Sequence, residues 1–178
     1  MRRAIHWTQI DTVHGSACLG VSEKGVCYLA FDGDPAGLRK RFPKAYLVKD
    51  GDLATGLARG VKNALADPAA AAAIPLDLHG TEFQLRVWQE LRRIPAGQTR
   101  SYGQLAKALG DANASRAVGT ANGQNPVGVL VPCHRVIAAN GTLGGYAGGI
   151  AMKQRLLEAE GARFRRPEPV AAQRDLFS

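Results

Sequence analysis

The chain has 178 residues and a hydrophobic content of 46%, enough to bury a core as one large domain or two small ones. It has no run of about eighteen apolar residues, which excludes a membrane span, and no apolar segment follows the basic start, so we expect no signal peptide. Most of the net charge of +8 comes from residues 81–178, which contain thirteen Lys/Arg and seven Asp/Glu. This excess of positive charge favours a nucleic-acid partner over a membrane. A role of the charge in solubility alone explains it equally well.

A hairpin is predicted over residues 16–31, where two apolar runs flank a Ser-Glu-Lys-Gly turn. Cys18 and Cys27 fall on its two strands. With His6 and His14 they are candidate zinc ligands, but the spacing is loose, so buried strand thiols are the favoured interpretation. The odd count of three cysteines also fits no disulfide framework, which indicates a reducing compartment and a cytoplasmic protein.

Helices are predicted after the hairpin. Asp34 followed by a proline is typical of a helix start, and Asp52 is predicted to cap a second helix that ends at Asp67. The alanine tract 69–73 lies between prolines, so we interpret it as a linker. We therefore expect an N-terminal α/β domain over residues 1–78.

Residues 79–166 are predicted to form a second, mostly helical domain. Thr81 is predicted to cap its first helix, and Ser101 opens a Ser-x-x-Gln capping box that begins the next. A short polar turn then leads to a helix from Ala114 to Asn122. Two short helices joined by a short turn are a helix-turn-helix candidate.

The second helix of this pair has an unusual composition for a DNA reader. Arg116 is its one long side chain among alanine, glycine and other small residues. Major-groove readers normally carry several long polar side chains, whereas small residues permit close approach to the narrow minor groove. A tightly packed internal helix is the alternative interpretation, because alanine and glycine also permit close contact between helices.

The stretch Val129–Ile137 holds the strongest chemical signal. Its apolar start predicts a buried strand or extended segment that Pro132 interrupts. Cys133 is therefore expected where ordered core gives way to a fixed, irregular backbone, a common position for a nucleophile. A lone cysteine is more often a buried structural residue, but the adjacent His134 and Arg135 and the basic surroundings favour a reactive thiol.

A glycine-rich loop follows over residues 144–149. Its spacing does not match a phosphate-binding loop, and no Lys-Ser/Thr pair follows it. Its glycines favour instead a close approach of backbone amides to a flat ligand. A final helix is predicted from Ala151 to Glu160, and residues 167–178 are predicted to form a loose tail.

Five strings of the second half form a pattern together. They are Ser101-Tyr102, Ser115–Gly119, Asn122–Pro126, Pro132–Val136 and Tyr146–Gly149. In this order they resemble the O6-alkylguanine-DNA alkyltransferases, also called methylated-DNA–protein-cysteine methyltransferases, and the resemblance is highly specific over residues 79–161. Residues 1–75 look like the family's more variable N-terminal domain and are most similar to the C-terminal half of the bacterial adaptive-response regulator.

The resemblance implies a fold and a reaction. It implies a ribonuclease-H-like antiparallel sheet with helices in the N-terminal domain, and a winged-helix-like helix-turn-helix in the mostly α C-terminal domain. The implied reaction is the irreversible transfer of one alkyl group from O6-alkylguanine in double-stranded DNA, with O4-alkylthymine as a lesser substrate. It requires base flipping and no cofactor or metal, and we expect a monomer without a membrane partner.

Catalytic roles carry over to single positions. Cys133 is implied as the alkyl acceptor, His134 as its base acting through a water, and Glu160 as the residue that orients His134. Asn125 is implied to pin the turn beside the active site. The chemistry agrees with this set, because attack on an alkyl carbon needs a thiolate, and a histidine backed by a carboxylate would lower the pKa of the thiol.

The resemblance also implies contacts with DNA and with the extruded base. The DNA contacts are Tyr102, Ala114, Ser115, Arg116, Ala117, Gly119 and Arg135. In this set Tyr102 would rotate the nucleotide phosphate, and Arg116 would fill the vacated stack. The base pocket consists of Tyr102, Tyr146 and the backbone of Val136 and Ala147.

Three other functions compete with this interpretation. A non-catalytic damage binder of the alkyltransferase-like kind would have another residue in place of Cys133. A helix-turn-helix transcription regulator would need more long side chains on its second helix. A papain-like hydrolase normally has its histidine far from the cysteine in sequence, although the adjacent His134 does not exclude that class.

Overall fold

A four-stranded sheet with two helices forms the N-terminal half in the computed structural model, which describes residues 2–166. In chain order its elements are β1 (Ala4–Thr12), β2 (Gly15–Ser22), β3 (Gly25–Ala30), α1 (Pro35–Arg41), β4 (Tyr46–Lys49) and α2 (Asp52–Ala66). The strand order is β3-β2-β1-β4, and the predicted β2–β3 hairpin is confirmed. The predicted antiparallel pairing holds for β1, β2 and β3 but is wrong for β4, which pairs parallel to β1 after the chain crosses back through α1.

Helices α1 and α2 cover opposite faces of this sheet. Leu38 of α1 packs with Cys18 and Cys27, whereas Val61 of α2 packs with Leu19, and neighbouring residues of one strand point to opposite faces. The two cysteines are 0% and 1% exposed, and burial raises the pKa of each thiol to about 12. They therefore fit the interpretation as buried strand thiols.

The boundaries predicted for this half are only partly correct. Asp34 caps α1 through its side chain, as predicted. The prediction for Asp52 is wrong by one residue, since Gly51 is the N-cap and Asp52 begins α2, where its charge still stabilises the helix dipole. The alanine tract is a 3₁₀ helix, Pro68–Ala73, and not an irregular linker, because Asp67 caps it.

The C-terminal half is mainly helical. Its elements are α3 (Glu82–Arg92), β5 (Arg100–Ser101), α4 (Tyr102–Ala108), α5 (Ser115–Gly123), a 3₁₀ helix (Cys133–Arg135), β6 (Val136–Ile137) and α6 (Ile150–Ala159). Thr81 is the predicted N-cap of α3 and also forms a capping box, Ser101 forms the predicted capping box of α4, and Ala114 is the N-cap of α5. Across residues 2–166, no helix has the length and apolar character needed to cross a membrane.

The stretch Val129–Ile137 is largely buried, as predicted, but of the two predicted forms, a strand or an extended segment, the continuous strand is wrong. Val129 has a φ of 67°, in the left-handed region that a β-branched residue rarely adopts, so the chain turns there. Only Val136 and Ile137 pair as a strand, parallel to β5. Cys133 is therefore presented by a tight turn next to a two-residue strand.

One apolar core connects the two halves. Its members include Leu19, Leu29 and Val61 from the first half and Trp88, Leu105, Val118 and Val136 from the second. Trp88 also ties α3 to α5, because its indole N–H donates to the carbonyl of Ala121 at 2.9 Å. Residues 126–135, the segment that presents Cys133 and that we call the active-site turn, are thus supported by packing from both halves.

Backbone hydrogen bonds also join the halves. The N–H of Leu29 donates to the carbonyl of Pro126 at 2.9 Å, and the N–H of Gly128 donates to the carbonyl of Leu29 at 3.0 Å. The domain boundary at residue 78 stays a prediction, as do the ribonuclease-H-like and winged-helix-like outlines. The predicted tail, residues 167–178, lies outside the described residues.

Candidate active site

Cys133 begins a 3₁₀ turn at the wall of a large cavity and is 7% exposed. The turn before it is held by Asn125, whose Nδ2 donates to the carbonyl of Val131 at 2.8 Å and whose Oδ1 accepts from the N–H of Val127 at 3.0 Å. Asn122, which was not among the predicted site residues, donates from Nδ2 to the carbonyl of Cys133 at 3.3 Å. Two asparagines therefore fix the backbone that carries the sulfur.

The carboxylate of Glu160 binds both residues that follow Cys133. His134 Nε2 lies 2.9 Å from Glu160 Oε1, and the two side chains are 0% and 5% exposed. Arg135 donates from Nε and Nη2 to the two carboxylate oxygens at 2.9 and 2.8 Å. Burial alone would raise the pKa of Glu160, but the hydrogen bonds and charges of His134 and Arg135 outweigh it and lower the pKa from 4.5 to about 2. Glu160 is therefore ionised at neutral pH.

Burial and the contact with Glu160 together determine where His134 carries its proton. Burial lowers the pKa of His134 below its ordinary 6.5, although Glu160 opposes the shift, so the ring is neutral at pH 7. A neutral ring that faces an ionised carboxylate carries its proton on Nε2, and Nδ1 is then an acceptor. Nδ1 is buried and has no hydrogen-bond partner within residues 2–166. His134 is therefore able to take up a proton at Nδ1.

Arg135 lacks the exposure that its predicted DNA contact requires. It is 8% exposed, and its remaining terminal nitrogen, Nη1, donates to the carbonyl of Ile94 at 2.7 Å. All three nitrogens of the guanidinium are thus engaged inside the protein. The structure places Arg135 as a support for Glu160, and the predicted DNA contact is corrected accordingly.

The pKa of the Cys133 thiol differs from the sequence-based expectation. Burial raises this pKa above the ordinary 9.0. The side-chain hydrogen bond of Asn125, the charge of Lys153 and the backbone N–H groups of Cys133 and His134 oppose that effect but do not cancel it. The expectation that His134 and the carboxylate of Glu160 lower the pKa of the thiol is therefore wrong, because burial of Cys133 has the larger effect. The thiol stays protonated at neutral pH and needs a base when it reacts.

Lys153 is a site residue that the sequence analysis missed. It is 0% exposed, and its Nζ donates to the carbonyls of Val136 at 2.6 Å and Gly145 at 3.2 Å. Burial lowers the pKa of Lys153 from 10.5 to about 8, and Cys133 opposes the shift. Lys153 ties the glycine-rich loop to β6 and brings a positive charge near the thiol. Its position on the buried stripe of α6 was the available signal, because a lysine there needs buried partners.

A cavity of about 800 Å³ lies beside Cys133. Tyr102, Tyr146 and Ala147 line it as predicted, whereas Val136 does not, because its side chain is buried in the core and its carbonyl accepts from Lys153. Burial, followed by the charge of Cys133, raises the pKa of both tyrosines, so their hydroxyl groups stay protonated. Aromatic walls beside a glycine-rich backbone suit a flat ring.

Part of the cavity wall comes from the N-terminal half. Residues of the β1–β2 turn and of the end of β3 face the same space as Cys133; they are His14, Leu29, Ala30, Phe31 and Asp32. The sequence analysis assigned none of them to the site, because no local motif marks a residue that reaches the site only through the fold. The cavity is therefore shared by both halves of the chain.

The solvent-facing side of α5 carries small side chains and one long cationic side chain, Arg116. The predicted DNA contacts on this helix and at its cap are exposed or half-buried; they are Ala114, Ser115, Arg116, Ala117 and Gly119. Gly119 also lines the cavity next to Tyr102, since a Cβ added there would lie 3.6 Å from the Tyr102 ring. Only the opposite side of the helix packs into the core. The alternative of a wholly internal helix is therefore excluded.

A known family matches the segment that holds this site. The model described as the DNA-binding domain of 6-O-methylguanine DNA methyltransferase matches residues 82–162. A methylated-DNA–protein-cysteine methyltransferase of Mycobacterium tuberculosis is 58% identical over 90 residues, which are 51% of this chain and 54% of that protein. The chain thus spans about half the length of the curated relatives it matches.

Solved structures match over nearly the whole chain. The crystal structure of Mycobacterium tuberculosis O6-methylguanine methyltransferase is 37% identical, covers 93% of this chain and 96% of its own, and has a TM-score of 0.71. A structure of the protein of that organism in complex with DNA is 38% identical, covers 88% of this chain and 92% of its own, and has the same TM-score of 0.71. The mixed sheet and the helices of both halves therefore follow a known α/β fold.

Replacing Glu160 with glutamine should remove a large part of the acid sensitivity of the fold. A carboxyl group whose pKa falls on folding stabilises the protein above its unfolded value and loses that effect as the pH drops through its folded value. From the shift of Glu160, this one group should contribute a fall of about 3 kcal/mol in the free energy of unfolding of the wild type between pH 4.5 and about 2, and Glu160→Gln should lack that contribution. Chemical denaturation at a series of pH values measures this slope.

Glu158→Gln is the matched control for this substitution. Glu158 also lies near the end of α6, but its side chain is 37% exposed and its partner is an exposed arginine, so the variant should keep the wild-type slope. An equal acid slope in Glu160→Gln and the wild type would contradict the assigned ionisation of Glu160.

Proposed function

Since the chain belongs to the O6-methylguanine-DNA methyltransferase family, we propose that it repairs DNA by transferring the alkyl group of O6-alkylguanine to Cys133, irreversibly and once per molecule. The observation that carries the proposal is the buried His134–Glu160 contact of 2.9 Å beside a cysteine at the wall of an aromatic cavity. An acceptor thiol, a neutral base and a cavity for a flat ring are the three parts that such a transfer needs.

The proposed step is a single displacement. Sγ of Cys133 attacks the alkyl carbon while the bond from that carbon to O6 breaks, and the electron pair returns to the guanine ring. The thiol proton passes through a water to Nδ1 of His134, and guanine gains a proton in turn, so that protons balance. The ionised Glu160 stabilises the imidazolium that forms. The product thioether has no leaving group, which makes the protein single-turnover.

Binding of the base is proposed to use the cavity walls. The hydroxyls of Tyr102 and Tyr146 stay protonated and line the cavity, and the backbone of Ala147 in the glycine-rich loop lines it too. They supply hydrogen-bond donors and flat surfaces for a purine ring. Because the charge of Lys153 lies near Cys133, it also favours the thiolate character that develops during attack.

Entry of the base is proposed to require flipping from duplex DNA. The reacting atom lies inside the stack, and extruding a base costs a few kcal/mol. The low outer face of α5 permits close approach to the minor groove, with Arg116 filling the space that the base leaves and Tyr102 turning its phosphate. In this proposal α4 and α5 form a winged-helix-like helix-turn-helix, and the net charge of +8 supports binding to phosphates.

The remaining features of the proposal follow from the chemistry. The substrate brings the alkyl group, so no cofactor takes part. O4-alkylthymine offers the same kind of alkyl–oxygen bond and is proposed as a lesser substrate. We propose that the protein acts in the cytoplasm as a monomer on alkylated double-stranded DNA.

Cys133→Ala should abolish alkyl transfer and keep binding to duplex DNA, because the thiol takes part in the reaction and does not contact phosphates. The measurement is intact mass after incubation with a duplex that carries O6-methylguanine, together with a gel-shift assay. The wild type should gain one methyl group and no more. Cys18→Ala and Cys27→Ala are the controls, since both thiols are buried on strands, and they should still gain the group. Methylation of the Cys133→Ala protein would identify a different nucleophile.

Arg116→Ala should impair repair of duplex DNA more than reaction with free O6-benzylguanine, because only the duplex has a vacated stack to fill. We expect a loss of at least about tenfold on the duplex and a much smaller loss on the free base. Arg59→Ala removes the same charge from an exposed position on α2 and should leave both rates near the wild type. Equal losses on the two substrates in Arg116→Ala would rule out the intercalating role.

A further inference from the structure

The cavity beside Cys133 holds more than a purine base with one methyl group. Its volume of about 800 Å³ lies toward the upper end of the range of roughly 300–1,000 Å³ for cavities that enclose drug-sized ligands. The residues assigned to the base, among them Tyr102 and Tyr146, form part of its lining. The N-terminal half supplies another part, and no step of the proposed reaction uses it.

Phe31 is the largest apolar residue that the N-terminal half contributes to the lining. It is half-buried and lines the cavity. Its ring covers Gly128 in the active-site turn, because a Cβ added to Gly128 would lie 3.5 Å from Cε2 of Phe31. The ring therefore occupies the space into which a side chain at position 128 would extend.

The position of Phe31 is fixed by its surroundings. Two backbone hydrogen bonds, Leu29 N–H to Pro126 and Gly128 N–H to Leu29, at 2.9 and 3.0 Å, attach the end of β3 to the active-site turn. The His14 ring meets Phe31 edge to face, with centroids 6.2 Å apart and an angle of 77°. A wall held from two directions is preorganised, so it presents the same surface before and after a substrate enters.

His14 also lines the cavity, and it is anchored by a contact with a residue outside the lining. Its Nε2 lies 3.1 Å from the carbonyl of Leu65 at the end of α2. This contact holds the imidazole ring against Phe31 and links the wall to the covering helix of the sheet. Phe31 and His14 together form a surface that we call the N-terminal wall.

We propose that the N-terminal wall selects the alkyl group by size, with Phe31 as the surface against which groups larger than methyl pack. The inference rests on the proposed function, since it concerns what the Cys133 site accepts. A benzyl group gains apolar burial and an aromatic contact from such a wall, whereas a methyl group at the sulfur has too little surface to gain from it. The N-terminal half would then be a specificity element of the active site.

The test compares two duplexes that differ only in the group on O6 of one guanine, methyl or benzyl. Second-order transfer rates for both are measured by intact mass for the wild type, Phe31→Ala and Phe31→Leu. The ratio of the benzyl rate to the methyl rate should fall by about 5- to 10-fold in Phe31→Ala and by a smaller factor in Phe31→Leu. A ratio taken on one protein does not depend on its folded fraction, and Phe31→Leu provides a second variant if the alanine variant folds poorly.

Tyr46→Ala is the matched control. Tyr46 is another aromatic residue of the N-terminal half, on β4, and is 66% exposed, so its removal should leave the ratio at the wild-type value. An unchanged ratio in both Phe31 variants would overturn the inference while leaving the proposed function intact. Failure of the wild-type protein to transfer either group would instead overturn the proposed function.

Discussion

The buried carboxylate of Glu160 is the group on which the rest of the site depends. It ends α6 and binds His134 and Arg135 of the active-site turn, and Arg135 reaches on to the carbonyl of Ile94 after α3. A buried charge is tolerated only with such partners, and removing one partner of a buried pair typically costs about 3–5 kcal/mol. The contacts that hold three segments together therefore include the contact that places the proton of His134 on Nε2. Stability and catalysis cannot be altered separately at this position.

The three residues Cys133, His134 and Lys153 contribute differently to the site. Burial keeps the Cys133 thiol protonated at rest, which protects it from unwanted reactions, while His134 remains neutral and able to accept the proton. Lys153 adds a positive charge near the thiol and ties the glycine-rich loop to β6. A protonated thiol is a weak nucleophile, and such a resting state suits the proposed reaction, in which each molecule reacts once.

Much of this could be predicted from sequence, and the failures share a cause. The N-cap at Thr81, the capping box at Ser101 and the hairpin were predicted correctly, because they depend on neighbours within a few residues. Long-range contacts were not, because the inward position of Arg135 and the cavity wall at Phe31 depend on segments far away in the chain. The four-residue β4 was also missed, since so short a strand carries almost no alternation. The direction of the Cys133 pKa depends on burial, which spacing alone does not reveal.

The central claim is that burial holds His134 neutral while the contact with Glu160 places its proton on Nε2, which leaves a free acceptor at Nδ1. Nitrogen-15 NMR of protein labelled at its four histidines tests this directly, with a His134→Gln variant to assign the signal. At pH 7 the account predicts one protonated and one unprotonated ring nitrogen in His134, with the proton on Nε2. A ring protonated on both nitrogens at pH 7, or a neutral ring with its proton on Nδ1, would contradict the account.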